Sequence, residues 1–190
     1  MKNNTVKNLA LASMFLAIGI VLPFFTGQIP QIGKMLLPMH IPVFLCCLIC
    51  GWRYGLCVGL ILPLLRSFLF GMPVMFPSAV TMSFELAAYG FIAGYLYAHS
   101  KWQCIVALYR CLIIAMIGGR LVAAVVKLIL LGAFGTPFTL EAFITGSFIN
   151  AIPGVILQLT VIPAIMLALH KTGLVHFKKH DPVKTQTLHN

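Results

Sequence analysis

Four charged side chains lie within stretches of this chain that are otherwise apolar enough to cross a membrane. They are Arg66, Glu85, Arg120 and Lys127. A charge at the centre of a bilayer costs roughly 2.5–3.5 kcal/mol on insertion scales, so such residues persist mainly where they pair or line a polar cavity. These four residues are therefore the first candidates for a binding site.

The charges of these four residues do not balance. Arg66, Arg120 and Lys127 accompany a single acid, Glu85, which leaves a surplus of positive charge. An anionic ligand would relieve that surplus, and arginine can bind a carboxylate through two parallel hydrogen bonds. The pattern favours a carboxylate ligand, with Arg120 as the strongest candidate because mid-span it can reach water only through a cavity.

Each candidate also has a purely structural interpretation. Arg66 and Glu85 can pair to hold two helices together, and Lys127 can extend its amine to the outer interface. Asn150 and Gln158 can form hydrogen bonds between helices. Both interpretations stay open at the level of the sequence.

The composition indicates what kind of protein must hold these residues in place. Of 190 residues, 61% are hydrophobic and 8% are charged, whereas a soluble domain carries about 25% charged residues. An integral membrane protein is indicated. The net charge of +10 does not indicate nucleic-acid binding, because the basic residues cluster at the ends of the apolar spans.

The apolar stretches predict an all-α integral membrane bundle of six transmembrane helices in residues 1–170. The predicted spans are 8–25, 39–51, 55–70, 78–98, 107–131 and 140–170. The second span is short and interrupted by Pro42, and a long loop, 26–38, joins it to the first. Residues 171–190 are expected to form a basic, disordered cytoplasmic tail.

Basic residues predict the orientation of the bundle. With six spans both termini share a side, and segments on that side carry nine Lys and Arg residues, whereas the opposite loops carry only Lys34. This asymmetry predicts that both termini are cytoplasmic.

This orientation places most of the polar candidates in the outer half of the membrane. His40 would open the second span at the outer face, and Glu85 would lie two turns into the fourth, with Tyr89 one turn deeper. We expect one external pocket, covered by loop 26–38, to collect them. Its predicted substrate-binding residues are His40, Arg66, Glu85, Tyr89, Arg120, Lys127 and Asn150.

The sequence gives little support to an intramembrane enzyme. Glu85 is the only acid well inside a span, and neither a paired acid nor an HExxH motif accompanies it. The six cysteines are interpreted as packing residues, since none joins a histidine at metal-ligand spacing. We predict no catalytic residue, no metal and no cofactor. A chain without a nucleotide-binding loop needs another chain for any use of ATP.

A separate pattern lies in the first span. Ala10, Ser13 and Ala17 fall on one helical face, and this spacing of small residues lets another helix approach closely. The pattern predicts a docking surface for a partner within the membrane.

Together these features resemble the substrate-binding (S) components of energy-coupling factor (ECF) vitamin transporters. The resemblance covers nearly the whole chain. It is carried by the segments LPMHIPV (37–43), GWRYG (51–55), FGMP (70–73) and FELAAYG (84–90).

The resemblance implies a multi-pass protein of a prokaryotic cell membrane that captures a vitamin or vitamin precursor in an outward-facing pocket. It also implies partners, namely a membrane coupling subunit and two ATPase subunits. In the family an Ala-xxx-Ala motif on the first helix contacts the coupling subunit, and Ser13 stands where its first alanine would be.

The surplus positive charge makes pantothenate the first choice of substrate. A pyridoxine-like or pyrimidine-precursor ligand would instead give the leading roles to Glu85 and Asn150, and riboflavin is a further alternative. Outside this family, the alternative is a self-sufficient small transporter or channel, which the lack of an internal repeat disfavours.

Overall fold

All regular secondary structure in the described part of the chain is helical. The computed structural model describes residues 2–26, 38–100, 104–133 and 152–172. The α-helices are α1 (Lys2–Val21), α2 (His40–Ile49), α3 (Trp52–Phe70), α4 (Val80–His99), α5 (Ile105–Ala133) and α6 (Ile152–Lys171). The prediction of an all-α bundle is confirmed, as expected where each spanning segment must satisfy its own backbone hydrogen bonds.

Five helical segments in the described residues are long and apolar enough to cross a membrane. They are Thr5–Phe24, Trp52–Phe70, Met75–His99, Ile105–Leu130 and Ile152–Lys171. The sixth span is predicted to begin at residue 140, and residues 140–151 lie outside the described part of the chain. The same holds for nearly all of the predicted tail.

Helix α2 is shorter than a complete span, in agreement with the prediction of a short second span. Its ten residues extend about 15 Å, half of the roughly 30 Å hydrocarbon core. Pro42 does not interrupt it, because it lies in the first turn, where a backbone N–H has no partner within the helix. All of residues 39–48 are buried, so α2 is a half-length helix inside the bundle.

The other helices surround α2. It contacts α1, α3, α4 and α6, while α4 packs between α3 and α5. At the crossing of α3 and α4 the two backbones approach closely, since a Cβ atom on Gly90 would collide with the carbonyl of Gly55. This close crossing fixes the position of the polar residues that α4 carries.

Candidate functional site

A buried carboxylate on α4 is held by two neighbouring side chains. Tyr89, one turn further along α4, donates its hydroxyl hydrogen to Glu85 Oε1 at 2.7 Å. Arg120 on α5 places its Nη1 atom 3.2 Å from the same oxygen. The Arg120 and Glu85 side chains are only 12% and 8% exposed. The partner of Glu85 is thus Arg120, and the alternative pairing with Arg66 is wrong.

The ring of Tyr89 is clamped between three helices. It stacks on Phe44 of α2, with ring centroids 5.3 Å apart and planes inclined by 24°, and the His40 ring lies at the same centroid distance. On the other side a Cβ atom at Gly119 would collide with the Tyr89 ring. Because the ring cannot move freely, the direction of its hydroxyl and the carboxylate of Glu85 are both fixed.

Sequence reasoning missed Phe44 and Gly119 as parts of this site. Phe44 lies within an ordinary apolar run and carries no distinguishing signal. Gly119 precedes the mid-span Arg120, and a glycine beside a membrane-embedded charge is a usable signal for a close side-chain contact.

His40 lies beside the middle of α4, and Glu85 lies nearer the start of this helix. His40 is 1% exposed and contacts Tyr89, which lies ten residues from the predicted cytoplasmic end of α4 at His99, about 15 Å along the helix. Glu85 follows Met75 by ten residues in a 25-residue apolar segment, whose first residues, Met75–Ala79, contain a kink with extended backbone at Phe76.

Arg66 has contacts of a different kind. Its Nε atom donates to the Met72 carbonyl at 3.2 Å, and its Nη1 atom donates to the Ile20 carbonyl at 2.9 Å. The guanidinium also lies 5.6 Å from the centroid of the Phe24 ring. Ile20 lies in the last turn of α1, where carbonyls lack N–H donors within the helix, and Met72 lies just after α3, so Arg66 joins the end of α1 to the segment that follows α3. These contacts explain its burial without a ligand.

The remaining predicted substrate-binding residues are Lys127 and Asn150. Lys127 is half-buried on α5, seven residues beyond Arg120. Asn150 and most of loop 26–38 lie outside the described residues. The cluster defined by Glu85, Tyr89 and Arg120 is hereafter called the polar cluster.

Arg120 retains most of its capacity to bind a ligand. A guanidinium carries five N–H donors in a planar fork, and within the described residues Arg120 makes its ion pair through Nη1 to a single carboxylate oxygen. The arrangement can therefore accept a monoanion while Glu85 and Tyr89 hold the arginine in place.

A cavity of about 390 Å³ lies between α4 and α5, away from the polar cluster. Its lining comprises Leu96, Ser100, Cys104, Val106, Ala107, Arg110, Cys111 and Ile114. Leu96 is eleven residues beyond Glu85 on α4, about 16 Å along the helix. The cavity includes none of the predicted site residues, so the polar cluster is the better candidate. Among the described residues, no cluster of three His, Cys, Asp or Glu side chains could hold a metal.

The small residues of α1 lie on its outer surface. Ala10, Ser13 and Ala17 are all exposed, and the Ser13 hydroxyl donates to the Ala10 carbonyl at 2.8 Å. The serine therefore needs no polar partner from outside. Ala12 and Phe15 occupy the buried face, so the small-residue face, Ala10, Ser13 and Ala17, is open to lipid or to another helix.

A comparison with known families gives a match over most of the chain. The model of a family described as the ECF transporter, substrate-specific component, matches residues 7–166. This range contains the polar cluster and the small-residue face. Comparisons with curated proteins and with solved structures gave no significant match.

Proposed function

We propose that this chain, which belongs to the family of ECF-transporter substrate-specific components, captures a carboxylate-bearing vitamin or vitamin precursor, with pantothenate as the best candidate. Family membership makes the chain a membrane-embedded, substrate-capturing subunit of an ECF importer. The substrate, its binding residues and the docking surface are what this proposal adds.

The proposal rests on the burial of Arg120 and on the hydrogen-bond donors that its ion pair leaves unused. Its guanidinium is nearly buried in the middle of α5, yet its ion pair with Glu85 uses one nitrogen. A desolvated cation with unused donors gains more from an anionic ligand than an exposed one does, because little water remains to compete. A carboxylate fits the planar fork of Arg120 better than a neutral group does.

The polar cluster holds Arg120 ready for this contact. Tyr89 fixes the Glu85 carboxylate through its 2.7 Å hydrogen bond, and Glu85 in turn orients the guanidinium. A preorganised group loses less entropy when the substrate binds. Lys127 adds a second positive charge on the outer side, where a monoanion would enter. His40 and Asn150 are proposed to complete the lining, and Arg66 to support it from the end of α1 and the segment that follows α3.

The small-residue face of α1 is proposed as the docking surface for the ECF coupling subunit. Ala10, Ser13 and Ala17 allow close helix approach, and their exposure in the isolated chain leaves them accessible. The coupling subunit and two ATPase subunits, in the cell membrane of a prokaryote, would then supply the energy that this chain lacks the motif to use.

Calorimetry of the purified chain against pantothenate, pyridoxine, uracil and riboflavin tests the proposal without nucleotide or partners. Pantothenate is expected to bind most tightly. Pantothenol, in which an alcohol replaces the carboxylate, is the matched control and is expected to bind far more weakly, since Arg120 then lacks its anionic partner. Equal affinity for the two compounds would exclude the carboxylate proposal, and preference for pyridoxine or uracil would transfer the leading role to Glu85.

A further inference from the structure

We infer that Gln158 is a further substrate-binding residue, whose carboxamide forms a hydrogen bond with a neutral polar group of the substrate. The inference rests on the proposed capture of a small molecule at the polar cluster. Helix α6, which carries Gln158, would then help to select the substrate.

The first observation is an unsatisfied polar group in the interior. Gln158 is 1% exposed, and its Nε2 atom has no hydrogen-bond partner among the described residues. An amide buried without a partner destabilises a folded protein, since it loses its hydrogen bonds to water and gains none in return. Such a residue is explained if a ligand supplies the missing partner.

The second observation is the direction in which α6 presents this residue. The buried positions Gly154, Gln158, Ile162 and Met166 recur every four residues and form the inward stripe of the helix. Contacts of α6 reach α2 and α5, the helices that carry His40 and Arg120. One turn outward, Gly154 has no side chain, so α6 itself leaves the outer side of Gln158 uncovered.

The third observation is depth. Gln158 lies 13 residues before the end of α6 at Lys171, Glu85 lies 14 before His99, and Arg120 lies 15 after Ile105. At 1.5 Å per residue, all three lie about 20–22 Å from the predicted cytoplasmic ends of their helices. A small molecule bound to Arg120 can therefore reach Gln158 without changing its depth in the membrane.

Arg120 and Gln158 together indicate the chemical class of the substrate. Arg120 requires a negative group, whereas a neutral carboxamide donates to and accepts from amides and hydroxyls. The substrate should therefore carry a carboxylate at one end and an amide or hydroxyl a few bonds away. Pantothenate has both groups, which links this inference to the proposed substrate.

The test replaces Gln158 by methionine, which keeps the length of the side chain and removes its amide. The matched control is Thr160→Val, which removes a polar group from the exposed side of the same helix, where the Thr160 hydroxyl already donates to the Ile156 carbonyl. Each purified variant is titrated with pantothenate, or with the panel compound that the parent binds best, and the melting temperature is measured without ligand.

If Gln158 binds the substrate, the Gln158→Met substitution should lower the affinity for pantothenate without lowering the melting temperature of the ligand-free protein. Gln158→Met should weaken pantothenate binding by about tenfold or more, because a polar group of the substrate loses its partner. The ligand-free melting temperature should stay the same or rise, since an unsatisfied amide has been removed. Thr160→Val should change the affinity by less than about threefold.

Two results would overturn the inference. Unchanged affinity in Gln158→Met would exclude contact with the substrate, and a lower melting temperature of the ligand-free protein would assign Gln158 to helix packing. If the parent binds no compound of the panel, the proposed function itself fails, and the inference fails with it. Binding by the parent with an unaffected Gln158→Met variant rejects only the inference.

Discussion

Arg120 and Arg66 are the same residue type in similarly apolar helices, yet their surroundings give them different roles. Arg66 donates to two backbone carbonyls, one in the last turn of α1 and one just after α3, and these bonds tie the two segments together. Arg120 faces one carboxylate in the interior. The sequence predicts that both charges need compensation, but it does not predict by what, because partner choice depends on which helix faces meet.

Replacement of Arg120 by alanine is expected to abolish tight pantothenate binding. Truncating one partner of a buried charge pair typically costs 2–5 kcal/mol, on the order of 30- to several thousand-fold in affinity. Arg120→Lys should recover only part of this loss, because a point charge cannot form the bidentate contact. Calorimetry on folded variants, verified by gel filtration, provides the measurement.

The Glu85→Gln variant separates an anionic substrate from a cationic or neutral one. Removing the negative charge beside Arg120 should weaken pantothenate binding much less than Arg120→Ala does, or even strengthen it, since Arg120 no longer has a competing anion. A larger loss in Glu85→Gln than in Arg120→Ala would contradict the anion site and make Glu85 the main ligand-binding residue.

Helix α2 shows where prediction at the level of elements succeeds and where it fails. Its apolar composition correctly indicates a buried helix, but hydropathy does not distinguish burial in lipid from burial in protein. The structure resolves this because all of residues 39–48 are covered by other helices.

Helix α1 presents the opposite case, since its small-residue face was predicted from spacing and is exposed in the bundle. Ser13→Trp or Ala17→Trp should abolish pantothenate uptake in cells that contain the ECF coupling subunit and ATPases. A bulky ring prevents close backbone approach between helices. Pantothenate affinity of the purified variants should stay at the parent value, because this face is remote from the polar cluster.

Val125→Trp serves as the matched control for these variants. Val125 is 58% exposed and apolar, but it lies on α5, so its replacement adds the same ring to a surface that faces lipid. Uptake should remain near the parent level. Normal uptake in both α1 variants would show that the small-residue face is not the docking surface.

At the scale of the whole molecule, the sequence predicts the class of fold and the helices that carry the site. The residues Glu85 and Tyr89 were predicted to share a face from their spacing of one turn, which is a local property of a helix. The contacts of Tyr89 with Phe44 and of Gly119 with the Tyr89 ring could not be predicted, because they depend on how α2 and α5 pack against α4. The spacing of residues along the sequence therefore predicts which residues share a helix face. It does not predict which faces of different helices pack together.

The proposed site of substrate capture and the proposed docking surface lie on different parts of the molecule. The polar cluster lies within the chain, whereas the small-residue face, proposed to receive the coupling subunit, lies on its surface. Purified chain in liposomes is therefore expected to bind pantothenate but to show no accumulation of it, because nothing in the system can harness ATP.

Co-reconstitution with the ECF coupling subunit and both ATPase subunits should produce uptake that requires ATP hydrolysis. The measurement is radiolabelled pantothenate inside the vesicles, with a non-hydrolysable nucleotide and the Ser13→Trp variant as controls. Both controls should reduce uptake to background while binding persists, since each removes energy coupling and leaves the polar cluster intact. Accumulation by the chain alone, without ATP, would instead identify a self-sufficient transporter and assign the small-residue face to contact with lipid.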